Sequence, residues 1–183
     1  MEYRAIGLIE LNSVAKGVES ADEMIKAADV ELLMARSACP GRYLVMISGD
    51  VGSVEDSVDA GKEIAGEFLV DTFIIPNVHP AVFPALSCAT QIQEINALGI
   101  IETYSSASCI TAADAAAKTA EVALIEIRCA TGLAGKSFVT LTGDVGSVNA
   151  AVSAGVEVLA DQGLIQSYVV IPSPSKELYT SLV

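Results

Sequence analysis

Few residues of this chain could do chemistry, and their spacing restricts what that chemistry is. Four cysteines, Cys39, Cys88, Cys109 and Cys129, show no CxxC or CxxH spacing, so no zinc-type site is written into one stretch. Thiols of this kind serve mostly as small buried hydrophobes. Cys39 has a distinctive setting, because Pro40 restricts it to extended conformations and Gly41 permits a tight turn. Local chemistry alone still reads it as an ordinary turn cysteine. His79, the only histidine, sits in Asn77-Val78-His79-Pro80 with no evident acid–base or metal-binding partner, and reads as linker packing. Glu10 and Glu102 look like paired carboxylates but occupy one duplicated position, which suggests a repeated structural contact. Gly49-Asp50-Val51-Gly52 invites comparison with phosphate loops. It lacks the Gly-Lys-Ser/Thr ending of Walker A and the GxGxxG pattern. The expectation is a strand-to-helix turn with Asp50 or Ser53 as the cap. With no nucleophile–base pair and no metal triad, no catalytic residue is assigned and no enzyme is expected.

The elements that position these residues come in two copies. Ala5-Ile6-Gly7-Leu8-Ile9-Glu10 is matched by Ala97-Leu98-Gly99-Ile100-Ile101-Glu102, and Gly49-Asp50-Val51-Gly52-Ser53-Val54 recurs letter for letter from Gly143 to Val148. Ala21-Asp22, Lys26, Val30 and Arg36 recur as Ala113-Asp114, Lys118, Val122 and Arg128. The register then shifts by two residues, giving the second copy a longer loop. Repeats at such a period mark duplication. Each copy reads as βαββαβ, an α+β sheet with helices on one face. In the first, a strand over 5–11 leads to a helix opened by Ser13. The apolar and small residues Val14, Ala15, Val18, Ala21, Met24, Ile25 and Ala28 fall at helical spacing. Strands over 30–37 and 43–48 flank the Cys39-Pro40-Gly41 turn. A helix over 54–67 and a strand over 71–75 complete the copy. Residues 77–96, rich in proline, form a linker with a helical turn near 81–89. Cys88 falls in the linker, Cys109 on an alanine-rich helix and Cys129 on a strand, all read as structural thiols. Helices this rich in Ala and Gly permit close packing.

The totals agree with a pair of small domains. Hydrophobic residues make up 52% of the chain, so two such domains are expected to bury surface against each other and against further subunits. No stretch reaches the ~20 apolar residues of a membrane helix. Met1-Glu2-Tyr3-Arg4 lacks a secretory signal's basic region. The expectation is a soluble, cytoplasmic protein with no membrane partner. The net charge of -13 opposes binding to a phosphate backbone, so nucleic acid is not expected as a partner.

The order Ala-x-Gly-x-Ile-Glu, Ala-Asp-x-x-x-Lys, a glycine turn and Gly-Asp-Val-Gly-Ser-Val resembles the bacterial microcompartment shell domain, the BMC fold. It occurs here twice, and the domains expected are 4–80 and 97–183, joined by a linker over 81–96. The resemblance implies a ferredoxin-like permuted sheet in each domain and assembly as a trimer whose six domains form a pseudohexamer. Such tiles pack edge to edge with other shell proteins in the compartment shell. By the same resemblance, Ala38, Cys39, Pro40 and Gly41 and, in the second copy, Thr131, Gly132, Leu133, Ala134 and Gly135 would line a central pore. Lys26 and Lys118, solvated helix lysines by default, would make tile-edge contacts. Where many shell domains carry an arginine after the last strand's proline, this chain has Asn77 and Ser173, so its lateral packing is expected to differ in detail.

Ser37-Ala38-Cys39-Pro40-Gly41-Arg42, with Ile75-Pro76-Asn77-Val78-His79-Pro80 later, is similar to the tandem shell proteins of propanediol-utilising compartments. That likeness implies one 4Fe–4S cluster per trimer, held by Cys39 of three subunits, with Cys129 as a distant reserve. Threefold symmetry would supply three thiolates at once, with the fourth iron left to another ligand. The cluster would serve electron transfer or cluster delivery, with an encapsulated redox enzyme or an external electron carrier as partner. Two other functions stay open. One is a cluster-free tile with a metabolite pore. The other is a small-molecule-binding regulator built on duplicated α/β modules; it would show an asymmetric polar cluster, whereas the turns here are nearly identical.

Overall fold

The computed structural model describes residues 5–92 and 94–178. The chain divides into two compact units, Met1–Val78 and His79–Val183. Arg4 and residues 179–183, the outer limits expected for the two domains, lie outside the described residues, as does the Met1-Glu2-Tyr3-Arg4 segment read for a secretory signal. Among the described residues no helix is long and apolar enough to cross a membrane.

The first unit contains β1 (Ala5–Leu11), α1 (Val14–Ala27), β2 (Val30–Ala38), β3 (Arg42–Gly49), α2 (Val51–Ala65) and β4 (Leu69–Pro76). Its sheet runs β2-β3-β1-β4 with every pair antiparallel. The second unit opens with the short helix α3 (Val82–Leu86). It continues with β5 (Ala97–Thr103), α4 (Ser106–Thr119), β6 (Ala123–Arg128), β7 (Ser137–Gly143), α5 (Val145–Glu157) and β8 (Ile165–Ile171). Its sheet order, β6-β7-β5-β8, repeats the first. Both units therefore have the expected βαββαβ order. The linker helix α3 packs on β6 and α4 of the second unit.

Each sheet is covered by its helices on one face. In β1, Gly7 and Ile9 point towards α2: a Cβ on Gly7 would meet Val58 and Val54 at 2.6 and 2.8 Å. Ile9, Met24, Val45, Ile47, Val54 and Val58 form the first core. Each such side chain contributes roughly 1.5–3 kcal/mol by leaving water.

The helix starts are set by caps. Ser13 accepts a hydrogen bond from Lys16 N at 3.3 Å, and Ser105 one from Ser108 N at 3.2 Å. Asp50 accepts from Ser53 N at 3.0 Å and Ser53 Oγ at 2.7 Å; Asp144 does the same for Ser147 and adds Gly146 N at 2.9 Å. Bonds to the serine hydroxyl and then to backbone N–H groups hold both carboxyls below their ordinary pKa. The Gly-Asp-Val-Gly-Ser motif is thus a cap. Helix α2 starts at Val51 rather than at residue 54, because Asp50 takes the cap and Val51-Gly52-Ser53 form the first turn.

Helix α1 departs from its sequence pattern. Val14, Val18 and Ile25 are exposed, and the buried positions are Gly17, Ser20, Ala21 and Met24. Tyr43 of β3 is the cause: its ring lies against Gly17, which draws the small-residue face inward and turns the branched residues out.

Candidate functional site

The two strand-to-strand loops expected to line an opening differ in chemistry. Between β2 and β3, Ala38 is buried while Cys39, Pro40 and Gly41 are exposed. Gly41 has φ of 68°, a left-handed conformation that glycine adopts without strain. The loop is therefore a tight turn that presents one thiol to solvent. Arg42 follows, its guanidinium 3.6 Å from Glu10 on the adjacent strand. Burial raises the pKa of Glu10, opposed by Arg42 and reinforced by Asp71.

The loop between β6 and β7 is longer and carries no exposed thiol. Cys129 and Ala130, at its base, are buried. Thr131 Oγ1 donates to Cys129 O at 2.9 Å, and Lys136 N donates to Leu133 O at 3.1 Å. Ala130, Gly132, Ala134 and Gly135 all have positive φ, a conformation costly at the two alanines. Thr131 stands at the repeat position of Cys39. One chain thus offers one loop thiol, and among the described residues no group of three His, Cys, Asp or Glu side chains could hold a metal ion.

The other candidates are placed as follows. Lys26 is exposed and pairs with exposed Asp22. Lys118 pairs with Asp114 at 2.6 Å, and Asp114 is buried and also accepts from His79 N at 2.7 Å. His79 Nδ1 accepts from Ala81 N at 3.3 Å, so the histidine shapes the linker. Cys88 is exposed, with Sγ 3.7 Å from Glu126.

Sequence reasoning missed the sheet face that the helices leave uncovered. In the first unit this face carries Ile6 and Leu8 of β1 and Leu44 and Met46 of β3, with Leu8 opposite Met46, and all four are fully buried. In the second unit Ile100 and Phe138 are only half-buried and Val169 is exposed. There a cavity of about 460 Å³ is lined by Ile100, Glu102, Phe138, Thr140, Ser167, Tyr168 and Val169. Its rim is polar. Glu102 accepts from Lys136 Nζ at 2.6 Å and Ser167 Oγ at 3.0 Å, and the Lys136 bond chiefly lowers its pKa. Arg128 stacks 5.4 Å from the Phe138 ring centroid and pairs with Glu126 at 2.5 Å. A signal for this face existed: Ala5-Ile6-Gly7-Leu8-Ile9 is continuously apolar rather than alternating, as in strands buried on both sides.

A model of the BMC domain matches residues 5–78 and 97–174, one match on each βαββαβ repeat. The chain belongs to the BMC-domain family. It is 42% identical to the bacterial microcompartment shell protein PduT of Citrobacter freundii, over 98% of both chains. A crystal structure of a microcompartment protein from Desulfitobacterium hafniense superimposes with a TM-score of 0.94 at 55% identity, covering 97% of this chain and 98% of that one. A fused permuted hexameric shell protein from the RMM microcompartment superimposes with a TM-score of 0.62 at 20% identity, over 86% of this chain and 82% of that one. At that identity the likeness speaks for the fold alone. Both BMC domains of this chain carry a four-stranded sheet of the same order, and their loops and open faces are what distinguish them.

Proposed function

We propose that this BMC-domain protein is a tile of a bacterial microcompartment shell, in which three copies close a pseudohexameric ring with the Cys39 turns facing its axis. The observation that carries the reading is the unequal burial of two equivalent sheet faces. Leu8 and Leu44 have no exposed surface, whereas their counterparts Ile100 and Phe138 are half-buried beside exposed Tyr168 and Val169. Leu98 and Thr140, the counterparts of Ile6 and Met46, are buried as those two are. An apolar sheet face with a polar rim has the composition of a subunit interface. A repeated heterologous contact closes a ring, and three copies of a two-domain chain supply six domains. Lys26 and Lys118 would then lie on tile edges, against other shell proteins. The role is structural rather than catalytic, and it places the chain in the cytoplasm within the compartment shell.

The loop thiol fits a shared 4Fe–4S cluster better than a site within one chain. Cys39 is exposed on a tight turn, and no described cluster of side chains in the same chain competes for the metal. One thiolate from each of three copies leaves one iron for another ligand. Bound there, the cluster would supply one-electron transfer across the shell; the protein's part is to hold three sulfurs and exclude other donors. Thr131, at the equivalent position, keeps the donor count at three per ring instead of six.

The test is anaerobic iron and sulfide analysis of wild type and Cys39→Ser, with the oligomer mass measured on the same samples. About four iron and four sulfide per trimer, lost in the variant, is the expected result. A trimer that stays cluster-free after anaerobic reconstitution would leave a plain tile with a small opening. A single-chain mass would overturn the ring itself.

A further inference from the structure

The two buried cysteines of the second unit have no part in the proposed tile, yet the fold brings them to one place. Cys109, on α4, and Cys129, just after β6, have no exposed surface. Strands β6 and β7 pair with Arg128 opposite Phe138, so the next step sets Cys129 opposite Ser137. Ser137 Oγ accepts from Ala130 N at 3.1 Å, which fixes that approach. From the helix side, Ser106 Oγ lies 3.3 Å from Ser137 Oγ. Cys109 follows Ser106 by one turn on the same face of α4. Ser137 is therefore touched from the helix beside Cys109 and from the backbone beside Cys129.

The first repeat gives the scale of this approach. Gly17 stands where Cys109 does, and Tyr43 where Ser137 does. A Cβ on Gly17 would lie 2.8 Å from Tyr43 Cβ. Helix and strand thus approach closely here, and cross-strand neighbours such as Cys129 and Ser137 have Cβ atoms about 4.5–5.5 Å apart. A disulfide needs Cβ atoms roughly 3.5–4.5 Å apart, and the helix bearing Cys109 and the strand end bearing Cys129 both reach Ser137. In the second repeat the glycine has become cysteine and the tyrosine serine, so thiols and a hydroxyl occupy the space of a ring. Burial first, and then the charge of Cys129, push the Cys109 thiol well above its ordinary pKa, an electrostatic coupling that requires proximity.

We propose that Cys109 and Cys129 form a reversible disulfide that ties α4 to the base of the 131–135 loop. The reaction is thiol–disulfide exchange with a small-molecule disulfide such as oxidised glutathione. One cysteine thiolate attacks the small disulfide, forming a mixed disulfide and expelling one small thiolate. The second cysteine gives up its proton, attacks the protein sulfur of that mixed disulfide and expels the other. Two protein thiols are oxidised and one small disulfide is reduced to two thiols. Because both sulfurs are buried, the exchange proceeds through local opening of the loop; because burial keeps Cys109 protonated, its rate rises with pH. The bridge does not depend on the tile reading.

The test uses the full chain carrying Cys39→Ser and Cys88→Ser, incubated with oxidised glutathione, then denatured, titrated for thiols and mapped by mass spectrometry. Loss of both remaining thiols with a peptide linking Cys109 to Cys129, reversed by dithiothreitol, is expected. Thiols that stay free, or separate glutathione adducts with no linked peptide, would overturn the proposal. The same mapping on wild type, its exposed Cys39 and Cys88 first alkylated in the native protein, covers a double variant that fails to fold. The thiol count is independent of trimer mass and iron content, so failure of the bridge and failure of the tile are read separately.

Discussion

Gly17 lies against the ring of Tyr43 so closely that a Cβ at residue 17 would meet Cδ1 at 2.3 Å and Cγ at 2.6 Å. This contact sets which face of α1 is buried. Alanine in a helix interior ordinarily gains up to about 1 kcal/mol over glycine. Here the overpacking cost, roughly 1–3 kcal/mol, is larger. Gly17→Ala is expected to lower stability, by up to about 2 kcal/mol, in denaturant unfolding. Adding Tyr43→Ser, the second repeat's solution, should make the alanine favourable. A Gly17→Ala variant as stable as wild type would disprove the contact's role.

Glu10 and Glu102 share a repeat position but are held in opposite ways. Burial raises the pKa of Glu10, whereas the Lys136 hydrogen bond lowers that of Glu102. A raised carboxyl binds its proton more tightly in the folded chain, so stability falls as pH rises from the unfolded to the folded value. A lowered carboxyl contributes stability above its unfolded value, lost as pH falls through the folded one. At neutral pH, Glu10→Gln is expected to stabilise the chain and Glu102→Gln to destabilise it by roughly 0.5–1 kcal/mol, as for a partly exposed ion pair. Denaturant midpoints at neutral and mildly acidic pH check this; shifts of the same sign at neutral pH would contradict it.

Asp114 holds both His79 N and Lys118 Nζ, at 2.7 and 2.6 Å. Its counterpart Asp22 is exposed and pairs with Lys26. Asp114→Ala is expected to cost about 1–2 kcal/mol, since it strips a charged acceptor from a part-buried backbone donor. Asp22→Ala should stay within about 0.5 kcal/mol. Hydrogen exchange at the His79 amide should accelerate only in the first variant; an unchanged rate would show that the linker is held elsewhere.

Val169, exposed on the open face beside the cavity, tests assembly without touching the core. Val169→Asp is expected to leave the fold's circular dichroism unchanged and to shift the solution mass from a ring towards the single chain. Retention of the full oligomer would mean that another surface closes it.

Much of this was legible locally. The repeat, the βαββαβ element order and the Ser13 cap follow from residue types at fixed offsets, because propensity and capping act within a few residues. The role of Asp50 was legible too, although the start of α2 was not, since a cap placed three residues earlier absorbs Val51-Gly52-Ser53 into the first turn. The helical spacing did not single out the buried face of α1, because Val14, Val18 and Ile25 are the more apolar residues yet lie outside it. Hydrophobicity ranks side chains singly, whereas the close approach to Tyr43 requires the smallest one, Gly17.

The sequence by itself determined that two BMC domains would form and that Cys39 would fall in the turn between the second and third strands of the first. Tertiary structure alone decided that Ile100 and Phe138 stay half-buried where Leu8 and Leu44 are fully covered, and that the helix bearing Cys109 and the strand end bearing Cys129, twenty residues apart without a recognised spacing, both reach Ser137. The physical reason is the same in both cases. Local pattern records what each residue prefers, and burial and proximity arise only when segments distant in the chain pack against one another.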